Sequence, residues 1–131
     1  MKVVIDTNVV VSGLIKGKGP CGEILRLVLG GHLDLCVDDR ILHEYEAVLP
    51  RPLFRIDPED VNNALKLIRF KAERTIPLPL RVELPDRSDL SFLEAAAAAD
   101  AILITGNIRH FPRHERAGVI VMTPSDFVRS S

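Results

Sequence analysis

Asp6, Glu44 and Asp89 are acids whose surroundings could bring them to one place. Asp6 ends the opening run Lys2-Val3-Val4-Ile5, which reads as a short buried strand rich in branched residues. Thr7 and Asn8 are cap and turn formers, so the strand should stop at the acid. Glu44 lies in a helical segment after a second apolar run, and Asp89 opens an alanine-rich helix. Thr105-Gly106-Asn107 directly follows a third apolar run, where Asn107 offers an amide oxygen. In an open α/β sheet, strand ends and the first turns of the following helices share one edge, and sites form there. Carboxylates gathered at that edge repel one another and resist being ionised together. A hard divalent cation, Mg²⁺ or Mn²⁺, removes that conflict through oxygen ligands. Such an ion activates water and polarises a phosphoryl oxygen, so the chemistry suggested is phosphodiester hydrolysis. Plainer roles compete: Asp6 and Asp89 are also good helix caps, and Asp86 stands close enough to replace Asp89.

The elements that must carry these residues follow from periodicity and punctuation. After the first strand, Val9–Ile15 reads as more strand or, better, as a short helix capped by Thr7. Pro20–Leu29 reads as a helix with a first-turn proline and a Gly30-Gly31 stop. Leu33–Val37 is a second strand. Asp39 is placed to cap a helix from Arg40 to about Leu49, ended by Pro50 and Pro52. Asp57-Pro58-Glu59 opens a further helix with Val61, Leu65, Ile68 and Phe70 as core candidates. Pro77, Pro79 and Pro85 exclude a central strand. Ser88-Asp89 caps a helix over Leu90–Ala99, Ala101–Thr105 is a buried strand, and Gly106–Arg116 is a loop or broken helix. Val119–Met122 is the last strand, and Thr123-Pro124-Ser125-Asp126 starts a final helix. The alternation predicts a mainly parallel sheet covered on both faces, as a single domain over 1–131.

Composition narrows the function classes. The formal net charge of −1 provides no global basic field, so a polyanion must be held by a local basic patch or by metal. The two cysteines, Cys21 and Cys36, read as reduced structural thiols, and no zinc spacing exists. No signal peptide and no run of about 20 apolar residues is visible, so a cytoplasmic protein without membrane contact is expected. Gly17-Lys18-Gly19-Pro20-Cys21-Gly22 matches a dinucleotide-binding glycine pattern in form only. About ten residues separate it from the first strand, so no nucleotide cofactor is expected.

Taken together, Val3-Val4-Ile5-Asp6-Thr7-Asn8-Val9, Glu44, Asp86-Arg87-Ser88-Asp89-Leu90-Ser91-Phe92-Leu93-Glu94-Ala95-Ala96 and Ile104-Thr105-Gly106-Asn107-Ile108-Arg109-His110-Phe111 resemble, in order, the motifs of PIN-domain nucleases. The likeness is strongest to the short, single-domain branch of toxin–antitoxin toxins, the VapC-like ribonucleases. It covers nearly the whole chain, to Met122-Thr123-Pro124-Ser125-Asp126-Phe127. The resemblance implies a five-stranded parallel sheet in a three-layer α/β/α sandwich. It further implies a catalytic metal site of Asp6, Glu44 and Asp89 with Asn107 assisting, an RNA substrate, an antitoxin partner and a homodimer. It favours Asp89 over Asp86, and it brings Thr7, Asn8, Ser12 and Thr105 toward the metal. Glu94 is expected either as an auxiliary acid or in a salt bridge. Arg109 and Arg113 suit phosphate contact, and His110 suits a general acid or a loop-holding hydrogen bond. Where many family members carry an acid, this chain has Asn107, so the site lacks one formal negative charge. The alternatives are a processing ribonuclease without a toxic role and a PIN-fold module that binds RNA or protein without cutting. The neighbouring reading frame separates the first from a toxin, and cleavage with and without EDTA separates the second.

Overall fold

Three buried branched residues, Val3, Val4 and Ile5, make β1 (Lys2–Ile5) a strand covered on both faces. A computed structural model describes residues 1–130. β1 lies at the centre of a five-stranded, all-parallel sheet of order β3-β2-β1-β4-β5, with β2 at Asp34–Val37, β3 at Glu73–Arg74, β4 at Ile102–Ile104 and β5 at Val121–Met122. Among the described residues, five helices lie between strands, α1 (Thr7–Ile15), α2 (Pro20–Leu29), α3 (Asp39–Val48), α4 (Pro58–Lys71) and α5 (Leu90–Ala99), and α6 (Pro124–Ser130) follows β5. Successive crossovers move outward from β1 to β2 to β3, then return across the sheet to β4. Right-handed connections therefore put α5 on the face opposite α1 to α4. α5 packs on β1, β2 and β4, giving the expected three-layer α/β/α sandwich.

Several local expectations change. Asp6, with extended backbone (φ −61, ψ 144), occupies the N-cap position of α1, and Thr7 lies inside the helix instead of capping it. Asp38, not Asp39, caps α3, accepting a hydrogen bond from the Ile41 amide at 3.0 Å. Asp86 caps the short 3₁₀ turn Arg87–Asp89 that precedes α5, while Asp89, at the N-cap position of α5, makes no side-chain capping bond. Phe70 is 87% exposed, because it falls two residues after buried Ile68 and so off the Val61–Ala64–Leu65–Ile68 face. β3 has no apolar signal at all and pairs along the free edge of β2 through Cys36 and Val37. From Thr75 to Pro85 the chain forms a strap without regular structure, as the prolines require. The Gly17–Gly22 segment leads into α2 from α1, not from β1, and Gly19 there has a φ of +101° that favours glycine. Gly106–Arg116 contains two 3₁₀ turns, Ile108–His110 and Arg113–Glu115. Both cysteines are free thiols. Among the described residues, no helix is long and apolar enough to cross a membrane.

Candidate active site

The strand order reverses between β1 and β4, and the crevice beyond their carboxyl ends is where an open α/β sheet places a site. Ile5 and Ile104 are register partners, so the residues that follow them, Asp6 and Thr105, stand side by side. The Asp6 amide donates to the Ile104 carbonyl at 2.9 Å, and the Thr105 hydroxyl donates to Asp6 Oδ2 at 2.8 Å. The Asn107 amide donates to that same hydroxyl oxygen at 3.0 Å, fixing which way the hydroxyl points. Asn8 bridges the two strand ends, reaching Asp6 Oδ2 at 3.4 Å and accepting from the Gly106 amide at 3.1 Å. Gly106 permits that approach, since a Cβ there would sit 3.3 Å from Asn8 Oδ1.

Asp6 and Asp89 both occupy N-cap positions, yet neither side chain makes a capping hydrogen bond. They are 6% and 7% exposed. Burial pushes the Asp6 carboxyl up to about 6 from its ordinary 3.8, the Thr105 hydrogen bond opposes the rise, and nearby Asp89 and Glu44 add to it. Burial likewise raises Asp89, against a hydrogen bond from His110. Glu44 reaches the group from α3, where its carboxylate accepts the Thr7 hydroxyl. Next to it, fully buried Tyr45 donates its hydroxyl to the Ile5 carbonyl at 2.5 Å, tying α3 to the end of β1. Tyr45 was not singled out from sequence, although its place beside Glu44 was a signal.

On the outer side, His110 Nδ1 lies 2.9 Å from Asp89 Oδ2. Asp86, Asp89 and His110 can each offer a ligand atom within 4.8 Å of the others. Asp86 is exposed and held below the usual carboxylate range by the Ser88 hydroxyl and amide. Asp6 and Glu44 lie outside this group, yet near enough to Asp89 for mutual repulsion to be felt.

Other expected site residues fall elsewhere. Both oxygens of buried Glu94 are engaged, Oε1 by Arg40 at 2.8 Å and Oε2 by the Leu80 amide at 2.8 Å, so it is a salt-bridged strap anchor. Ser12 is exposed on α1 and interacts with Cys21 of α2. Asn107 is exposed, and it is held through its backbone, its amide donating to the Thr105 hydroxyl and its carbonyl accepting from the His110 amide. Arg109 and Arg113 are exposed on the loop after β4.

The donor set suits a hard cation. Buried Asp38 and Glu94 are neutralised by Arg40, at 2.7 and 2.8 Å. By contrast, among the described residues no Lys or Arg pairs with Asp6, Glu44 or Asp89. Buried carboxylates left without a permanently charged partner are costly unless protonated or bound to metal, and Asp89 has only the His110 imidazole.

This is a parallel α/β domain with acids gathered beyond the strand ends at its topological switch point. The chain belongs to the PIN-domain family, whose sequence model, described as PIN domain, matches residues 2–109. No curated protein matches the sequence. Among solved structures, the chain is similar to VapBC2 from Rickettsia felis, bound to a DNA fragment from their promoter. That similarity has a TM-score of 0.61 at 18% identity, covering 94% of this chain and 98% of that one. VapBC-1 from nontypeable Haemophilus influenzae gives 0.61 at 16% identity, over 95% and 99%. A domain of a functionally unknown protein from Methanocaldococcus jannaschii gives 0.57 at 18%, over 93% and 89%.

Proposed function

We propose that the protein is a Mg²⁺- or Mn²⁺-dependent endoribonuclease of the VapC-like kind, a toxin restrained by a cognate antitoxin. The observation that carries this reading is the contrast between its buried acids: Arg40 neutralises Asp38 and Glu94, while Asp6 and Asp89 have no Lys or Arg partner. Asp6, Glu44 and Asp89 would hold the ion, partly through water, since Mg²⁺ keeps several waters. The ion, when bound, supplies an acidified water and a polarised phosphoryl oxygen. The chain's own part is to fix the ligands. Thr105 and Asn8 orient Asp6, Thr7 orients Glu44, and His110 orients Asp89. The likeness to VapBC structures supports an antitoxin partner, and the resemblance also favours a homodimer.

The test is cleavage of single-stranded RNA. Mg²⁺ or Mn²⁺ should support it and EDTA should stop it. Asp6→Asn, Glu44→Gln and Asp89→Asn should each lower the rate at least ~100-fold while the fold persists. Undiminished cleavage in EDTA, or by all three variants, rejects the mechanism. Co-expression with a small protein encoded beside it should silence the nuclease; normal activity in its presence would leave a processing enzyme.

A further inference from the structure

We propose that the cleft between α3 and the start of α5 is the track along which single-stranded RNA enters the carboxylate site, with Arg51 and Arg87 gripping its phosphates. The inference rests on the nuclease reading and adds the substrate path to it. The cleft encloses about 520 Å³ and is walled by Arg40, His43, Glu44, Arg51, Arg87 and Ser91, among others. Glu44 belongs to the candidate metal site and also lines the cleft, as does Ser88 beside Asp89, so cleft and site adjoin there. A phosphodiester held at the carboxylates must carry its flanking phosphates somewhere, and here they meet positive charge.

The cations differ in what is left to bind. Arg40 is committed to Asp38 and Glu94. Arg51, just beyond α3, and Arg87, in the 3₁₀ turn before α5, are exposed and have no side-chain partner among the described residues. Glu44 is the one acid in the wall. Two unpaired guanidinium forks from two different elements therefore face a shared space in a chain of net charge −1. Guanidinium matches phosphate oxygens two at a time. His43 and Ser91 add groups able to hydrogen-bond. No Phe, Tyr or Trp side chain lines the cleft, so the His43 ring is the one aromatic surface a base meets there and stacking is secondary to charge. The grip is then on the backbone, tolerant of sequence and sensitive to salt. An acidic polypeptide is the other polyanion such a cleft could accept, but the continuity with Glu44 favours the molecule whose phosphodiester is cut.

Binding of a fluorescein-labelled, mixed-sequence, single-stranded oligoribonucleotide, followed by anisotropy in EDTA, tests the track without turnover. The Arg51→Gln/Arg87→Gln double variant should bind at least about tenfold more weakly, and its slope of log affinity against log salt should be shallower by about 1.4. Arg51→Lys/Arg87→Lys should keep most of the slope, which guards against misfolding of the first variant, and melting curves check both. Lys66→Gln, on exposed α4 surface, controls for overall charge and should change affinity less than about twofold. Unchanged affinity and slope in the double Gln variant overturn the proposal, as does an equal loss in Lys66→Gln. If polyglutamate binding falls in the double Gln variant while RNA binding holds, the cleft is a polypeptide dock and the RNA track is wrong. Because no metal is present, the result stands apart from the hydrolysis reading. Metal-dependent cleavage with unaltered RNA affinity would sink the track alone, and metal-independent cleavage with the expected binding loss would sink the mechanism alone.

Discussion

Asp6 and Asp38 both end a parallel strand and begin a helix, yet they do opposite work. Asp38 caps its helix and pairs with Arg40, while Asp6 makes no cap and has only neutral hydrogen-bond donors around it. The Asp6 carboxyl therefore titrates near 6 when no metal is bound, against 3.8 ordinarily. Between those values the folded protein holds a proton that the unfolded chain has released. Stability from this group is present at low pH and lost as pH rises through about 6, by on the order of 3 kcal/mol. The metal-free melting temperature should accordingly fall as pH rises from about 4.5 to about 7.5. Asp6→Asn, which cannot ionise but can still accept the Thr105 hydroxyl, should flatten that fall and melt higher than the parent at the upper pH. Thermal melts in EDTA across the range decide it, and a lower-melting Asn variant at high pH would make Asp6 a structural partner first.

At the scale of elements, α5 and the Thr75–Pro85 strap form one unit through Glu94. The strap has no ladder of its own after Thr75, whose amide bonds to the Val37 carbonyl, so its position depends on side chains such as Glu94. Glu94→Ala removes the acceptor for the Leu80 amide and leaves Arg40 with Asp38 alone. The expected cost is on the order of 2 kcal/mol, toward the low end for a broken buried pair because Arg40 itself is half exposed. Hydrogen exchange should show the Leu80 amide opening earlier than those of β1. Equal protection in parent and variant would mean that packing of Leu80, Val82 and Leu84, not Glu94, holds the strap.

For the whole molecule, the proposed divalent cation would act as a folding partner. The acids at the switch point cost stability while empty, and a ligand that binds only the folded state returns it by mass action, about 2.7 kcal/mol at a concentration 100 times its Kd. Mn²⁺ should raise the melting temperature by several degrees near neutral pH, more at pH 7.5 than at about pH 5, where Asp6 is protonated. Asp6→Asn should gain distinctly less. An equal Mn²⁺ shift in both proteins would place the ion outside the reach of Asp6, for example at Asp86, Asp89 and His110 alone.

The strands β1, β2, β4 and β5 and all six helices were legible in the chain, because short apolar runs, prolines and glycines act within a few residues of themselves. So was the gathering of Asp6, Glu44 and Asp89 at one edge, which follows from the polarity of a parallel sheet. β3 was not legible from its residues, since Glu73-Arg74 has no strand signal and pairs only because the edge of β2 offers it partners. Nor was the exposure of Phe70, which depends on where α4 meets its neighbours. Above all, sequence left Glu94 open between an auxiliary acid near Asp89 and a salt-bridged one. Glu94 and Asp89 lie five residues apart, and what makes one a salt-bridge anchor and the other an unneutralised acid is Arg40, 54 positions from Glu94 along the chain and 2.8 Å away in space. Charge compensation is set by distance through the folded protein, and local propensity carries no record of it.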